Sequence, residues 1–286
     1  MRDMPTALLF PGQGSQTKDM RDVVLEASPE LLERAADAVG EDPFERVADG
    51  TRFAQPALYC ASVALWISAG SPEPELVAGH SLGEVGALVA GGAISIEDGL
   101  WLAARRGRVM EDVATSQPSG GMLALLGDED ATRRIAAAHD LTIANDNAPG
   151  QLVVSGPADE LDRAVEDAKG ERLKAMPLAV RGAFHTEAMA PAVPEFRKAL
   201  DAIDVRAPKV PVYSSVTARP FDDVRSDLAA ALVRPVRWRE TLHALHDRGV
   251  GRFVEVGPGK VLKGLVRRTI PDAKATLLTK PEMAHA

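Results

Sequence analysis

Residues 78–84 read Ala-Gly-His-Ser-Leu-Gly-Glu, a serine between two glycines at the G-x-S-x-G spacing of a nucleophile elbow. Such a turn needs a strand before it and a helix after it, and both are written in the flanks. Residues 76–79 (LVAG) form a short apolar strand candidate, and residues 85–93 (VGALVAGGA) a small-residue run that reads as helix. Strand, sharp turn and helix place the Ser81 hydroxyl at the amino end of the helix, where free backbone N–H groups and the helix dipole favour developing negative charge. The Leu82 amide is the first such donor. An elbow serves any acyl chemistry, so it leaves open whether water or a thiol takes the acyl group.

Upstream, ALLF (7–10) reads as a buried strand stopped by the Gly-rich turn PGQGSQ (11–16). Residues 29–39 and 54–69 have helical spacing, and Pro56 suits a first helical turn in the second. Downstream, IEDGLWLAARRGRVMEDVA (96–114) reads as a helix whose apolar face carries Leu100, Trp101, Ala104 and Met110. After SQPSGG (116–121) the texture changes to strand, helix, two strands joined by NAPG, helix and strand, ending at RLKAMPLAV (172–180). That β-α-β-β-α-β order is the sequence of a ferredoxin-like unit. Helical spacing returns over 186–203, followed by a strand at VPVYSSV (210–216), a helix in 235–249, a strand at RFVEVG (252–257) and a helix at VLKGLVRRTI (261–270). The expected class is therefore α/β. Residues 1–119 and 187–286 are expected to form an α/β-hydrolase-like catalytic domain with a short parallel sheet and the elbow, interrupted by a ferredoxin-like small domain at 120–186.

The whole chain sets bounds on function. Its 286 residues suffice for one large domain or a main domain with a smaller insert, and hydrophobic residues at 45% with charged residues at 26% describe a globular protein. A formal net charge of −8 argues against nucleic-acid binding, which needs a dense positive surface. ALLF is too brief for a signal-peptide core, and no apolar run reaches the roughly 18–20 residues that span a bilayer, so a cytoplasmic protein without a membrane role is expected. The single cysteine, Cys60, has no disulfide partner and sits in the apolar ALYCASVALW, which points to packing.

A nucleophilic serine needs a base within hydrogen-bond reach. Of six histidines, His80 adjoins the serine on the elbow and should point away from it, supporting the turn. His139 ends a helix, His243 and His246 share another without a recognised third ligand, so no metal is expected, and His285 is in the tail. His185, in VRGAFHTEAM, comes where the inserted unit returns to the main one and faces the cleft between them. It is the best general base.

Four stretches in this order, FPGQGSQ (10–16), GHSLGE (79–84), RRGRVM (105–110) and GAFHT (182–186), resemble malonyl-CoA:acyl-carrier-protein transacylases and the related acyltransferase domains of polyketide synthases. QPALYCASVALW (55–66) and EVGPGKVLKGL (255–265) resemble further family segments, so the likeness covers nearly the whole chain. The resemblance implies Ser81 as the acylated nucleophile, His185 as base and then acid, and the backbone amides of Gln13 and Leu82 as oxyanion hole. It implies that Arg106 holds the free carboxylate of malonate, a role suited to a planar guanidinium, although an ordinary solvated helix charge is the alternative reading. Arg105, one step along, should point elsewhere. Phe184 matches a position where phenylalanine accompanies an unbranched malonyl unit, and Gln55 and Asn147 match polar positions lining the cleft.

The resemblance further implies a ping-pong reaction: malonyl-CoA as substrate, an acyl carrier protein bearing phosphopantetheine as partner, no tightly bound cofactor, and a monomer. Carrier proteins are acidic, so Arg234, Arg237, Arg239, Lys260, Lys263, Arg267 and Arg268 are candidates for a basic rim. A trans-acting polyketide acyltransferase using another acyl unit and a carrier-thioester hydrolase remain alternatives, the latter disfavoured by Arg106. The chain departs from the family pattern in three places. Ala231 stands where glutamine is frequent, Ser214 and Ser215 stand where asparagine is common, and the segment after GQGSQ is short. The first two bear on how His185 is supported, the third on the cleft rim.

Overall fold

A computed structural model of the chain describes residues 4–278. The chain opens with β1 (Thr6–Phe10), α1 (Met20–Ala27), α2 (Glu30–Val39), α3 (Thr51–Ser68), β2 (Leu76–Gly79), α4 (Gly83–Ala90) and α5 (Ile96–Ser116). There follow β3 (Gly120–Leu126), α6 (Glu129–Ala138), β4 (Thr142–Ala148), β5 (Gln151–Pro157), α7 (Ala158–Gly170) and β6 (Lys174–Pro177). The remainder comprises α8 (Ala192–Asp201), β7 (Val212–Ser214), β8 (Arg219–Pro220), α9 (Val224–Ala230), α10 (Trp238–Asp247), β9 (Arg252–Glu255), α11 (Val261–Thr269) and β10 (Lys274–Leu277).

Two sheets organise these elements into a mixed α/β fold. The first has the order β10-β9-β1-β2-β7-β8, parallel from β10 to β7 with β8 antiparallel at its edge. Its central strands read as unbroken apolar runs because both faces are covered. Leu8 and Phe10 of β1 pack with Leu58, Val85 and Leu102 on one side, while Ala7 and Leu9 pack with Trp238, Leu242 and Leu265 on the other. The second sheet, β4-β5-β3-β6, is antiparallel throughout, and its elements follow one another as β-α-β-β-α-β. One face, with Leu123, Leu125 and Val154, packs on Ile135 of α6 and Leu161 of α7. From the other, Met122, Ala124 and Val153 join the core around α5.

Several local readings are corrected. The second helix starts at Thr51, so Pro56 lies inside α3 and not in its first turn. Its amino end is capped from another element, Glu111 Oε2 of α5 accepting the Arg52 N–H at 3.0 Å, which no local pattern announces. Trp101 is not on the buried face of α5: it is 36% exposed, and the Arg105 guanidinium lies 4.0 Å over its ring. The helix expected over 186–203 is divided by Pro191 into a single 3-10 turn, Glu187–Met189, and α8. The last strand of the antiparallel sheet is only Lys174–Pro177. The segment after GQGSQ holds α1, and α9, β8 and β10 were not expected at all. His285 lies outside the described residues.

Candidate active site

The elbow forms between β2 and α4. Ser81 has φ +53°, a left-handed conformation that a non-glycine residue adopts only when its surroundings impose it. What imposes it is close backbone approach on either side. A Cβ on Gly79 would meet Glu84 N at 2.1 Å, and one on Gly83 would meet the Phe10 carbonyl oxygen at 2.0 Å. Pairing of Phe10 with Gly79 brings the following Pro-Gly-Gln-Gly turn against the elbow. The amides of Gln13 and Leu82 are engaged by no protein acceptor among the described residues.

Ser81 Oγ lies 2.9 Å from His185 Nε2. On the other side of the ring, Nδ1 is 2.9 Å from the Ala231 carbonyl and 3.2 Å from that of Arg234. Carbonyls only accept, so Nδ1 carries the proton and Nε2 is left as an acceptor for the serine hydroxyl. Burial, followed by the nearby Arg106 and His80, pushes the imidazole down to about 3, which keeps it neutral. A neutral, oriented imidazole against a hydroxyl is the arrangement of a nucleophile and its general base.

A third group converges on the same oxygen. Arg106, buried on α5, donates from Nη2 to Ser81 Oγ at 3.1 Å and from Nη1 to Gln55 Oε1 at 3.0 Å. Burial lowers the guanidinium to about 10 while Glu84 opposes that shift, so it stays charged at neutral pH. A buried cation held on one side by the Gln55 amide and facing the Ser81 hydroxyl on the other is suited to an anionic group, and the solvated-charge alternative falls away.

Compared with known proteins, residues 7–283 match the family model described as acyl transferase domain. The chain belongs to the acyl transferase domain family. It is 41% identical over 284 residues to the polyketide biosynthesis protein ThaF of Burkholderia thailandensis, covering 93% of this chain but only 24% of that much longer protein. It is 37% identical over 298 residues to the malonyl CoA-acyl carrier protein transacylase of Bacillus subtilis, covering 96% of this chain and 94% of that protein. Among solved structures, the malonyl-CoA:acyl carrier protein transacylase of Xanthomonas oryzae superposes with a TM-score of 0.88 at 36% identity, over 98% of this chain and 96% of that one.

The other expected site residues of this acyl transferase domain fall around the triangle of Ser81, His185 and Arg106. Gln55 orients the guanidinium and donates from Nε2 to Met110 Sδ at 3.4 Å. Asn147 Oδ1 sits 2.8 Å from His80 Nε2, and the His80 ring packs edge-on against Trp238. Phe184 is buried beside Gly182 and Ala114, one residue from the base. A cleft of about 370 Å³ runs between the Pro11–Gly14 turn, the start of α11 and the inner face of the antiparallel sheet, with His80 and Asn147 in its wall.

Of the basic-rim candidates, Arg239 is committed elsewhere. Its guanidinium pairs with Glu129 at 2.7 Å and Asp146 at 2.6 Å. Arg237 pairs with Glu240, and Arg268 donates to Gln151 Oε1 at 2.7 Å. Arg234, Lys260 and Arg267 are exposed, and Lys263 is half-buried, its backbone N–H donating to Glu255 Oε2 at 2.8 Å. Sequence reasoning missed Glu84: its buried carboxylate, three residues past the nucleophile, accepts both donors of Ser215, at 2.7 and 3.0 Å. Only the acidic residue closing GHSLGE hinted at it.

Proposed function

We propose that this chain moves a malonyl group from CoA to the phosphopantetheine thiol of an acyl carrier protein through a Ser81 acyl-enzyme. The observation that carries the reading is convergence on one atom: His185 Nε2 and Arg106 Nη2 lie 2.9 and 3.1 Å from Ser81 Oγ. A base activates that oxygen, and a fixed cation beside it suits an acyl group that ends in a carboxylate.

The reaction proceeds in two halves. His185 Nε2 takes the hydroxyl proton as Ser81 Oγ attacks the thioester carbonyl, and the oxyanion accepts hydrogen bonds from the Gln13 and Leu82 amides at the amino end of α4. Collapse breaks the C–S bond, and the imidazolium returns its proton to the departing CoA sulfur. The carrier's thiol then gives its proton to Nε2, its sulfur attacks the ester carbonyl, and Ser81 Oγ leaves and is reprotonated. Arg106 holds the malonyl carboxylate through both halves, positioned by Gln55, and Phe184 crowds the α carbon against a methyl branch. Asn147 holds His80 along the pantetheine-bearing wall of the cleft. The names of the two relatives at full or near-full coverage, both malonyl transacylases, support the acyl unit and the acceptor.

In this reading residues 1–119 and 187–286 form an α/β-hydrolase-like catalytic domain and 120–186 an inserted ferredoxin-like small domain. The β4-β5-β3-β6 order supports the second assignment, since it is the order a split β-α-β pair produces. Exposed Arg234, Lys260 and Arg267 are the rim residues left to meet an acidic carrier. The testing experiment is intact-mass measurement of the protein with a panel of acyl-CoAs, with and without carrier protein. A malonyl adduct that disappears only when the carrier is added supports the reading; an adduct lost equally without carrier overturns transfer in favour of hydrolysis.

A further inference from the structure

Ser81 and His185 are 104 residues apart in sequence, and no covalent feature fixes their distance. Among the described residues, the Nδ1 side of the imidazole is held by the carbonyls of Ala231 and Arg234, on the segment between α9 and α10. That segment is held from two sides: Val236 exchanges backbone hydrogen bonds with Ala144 and Asp146 of β4, each at 2.8 Å, and the Arg237 N–H donates to the Ser215 carbonyl at 2.6 Å, the tie that leads back to the elbow. Ser215 in turn gives its N–H and its hydroxyl to one oxygen of Glu84. Glu84 sits in the first turn of α4, the helix whose amino end carries Ser81. A continuous path therefore runs from the nucleophile's helix, through Glu84 and Ser215, to the loop that aims the base.

We propose that Glu84 is a positioning residue for His185, its carboxylate holding Ser215 and thereby fixing the 231–237 loop in register with the elbow. The chemistry of the donor set fits. Glu84 is 1% exposed, and a carboxyl in such a place is tolerated only where donors surround it. Desolvation raises it to about 7 while Ser215 and the charge of Arg106 act in the opposite direction. A glutamine at this position offers the same Oε1 acceptor without the charge, whereas an alanine offers nothing.

This inference rests on the reading of Ser81 and His185 as nucleophile and base. The test follows single-turnover malonylation of the full-length protein by malonyl-CoA, together with the proton resonance of His185 Nδ1–H, assigned by its absence from His185→Ala. Glu84→Ala should slow the acylation step about 30-fold or more with the Kd for malonyl-CoA little changed, and should broaden or abolish the imidazole signal. Glu84→Gln should stay within about three-fold of wild type and keep the signal, and Ser215→Ala should fall between the two. Should Glu84→Ala fail to fold, Glu84→Asp, whose carboxyl falls one methylene short of Ser215, takes its place. Wild-type rate and signal in the truncated or shortened variant reject the proposal, as does a Glu84→Gln variant as slow as that variant, since charge and not the hold would then matter. If wild-type protein is never acylated at Ser81, the underlying reading fails instead, independently of Glu84.

Discussion

The Arg106 guanidinium donates to the hydroxyl of Ser81 itself, Nη2 to Oγ at 3.1 Å. In the proposed acyl-enzyme, a cation so placed is within reach of the group carried on that oxygen. Arg106→Ala should therefore reduce kcat/KM for malonyl-CoA by about 100-fold or more, near 3 kcal/mol for a buried charge-assisted contact. The same variant should accept acetyl-CoA better than wild type does. Steady-state kinetics with both thioesters check this, and an unchanged preference would sink the carboxylate-binding role.

Ser81→Ala should show no stoichiometric malonylation by intact-mass analysis. The companion expectation concerns pH. An ordinary imidazole would lose its basic form below about 6.5, but His185 is held down to about 3 by burial. The acylation rate should thus show no inflection near 6.5 from this histidine. A rapid-quench series across that range checks it, and an acid limb centred at 6.5 that is unaltered by the Glu84→Gln change would count against a buried neutral base.

Stability should depend on pH through two opposed groups. His185 has a folded value of about 3 against an ordinary 6.5, so the unfolded chain binds more protons in between. Its contribution is fully present above 6.5 and is lost as pH falls toward 3. Glu84 is raised from 4.5 to about 7, so the folded chain binds more protons there. That contribution is present below 4.5 and is lost as pH rises through 7. Between 4.5 and 6.5 the slopes cancel. Glu84→Gln removes one of them, and its unfolding free energy should climb relative to wild type by up to about 1.4 kcal/mol per pH unit. Urea denaturation at several pH values reads this; parallel curves for the two proteins would contradict it.

Phe184→Ala should raise the ratio of methylmalonyl to malonyl transfer by about ten-fold, the worth of a methyl group's space in an apolar pocket. The ring also packs in the core, so the variant should lose about 3–5 kcal/mol of stability. Competition between the two CoA esters, followed by product mass, separates the effects. A ratio that does not move would place the branch elsewhere.

Much of the fold was legible because the decisive signals are local. LVAG followed by GHSLGE is strand, turn and helix within a dozen residues, and the alternation of strands and helices after residue 120 is written in short amphipathic periods. The approach of His185 to Ser81 was legible as well, because few of the histidines follow the run of strands and helices after residue 120. What stayed hidden depends on partners distant in sequence. Lys274–Leu277 is a strand because β9 offers it an edge, and Thr51 starts a helix because Glu111 caps it from another element. Trp101 was misplaced because an apolar ring fits a helical stripe, while the stacking of Arg105 that covers it outside is invisible to periodicity. Arg239 reads in sequence as a rim charge, whereas Glu129 and Asp146, distant in the chain, claim it.

The support of His185 by the Ala231 carbonyl comes from the main chain alone. A main-chain oxygen belongs to every amino acid, so the identity of the side chain at 231 carries no chemical information about the base. In the proposed mechanism any residue that keeps the path of the loop can serve at that position. What the proposed base draws from position 231 is the direction of a peptide bond, not a side chain.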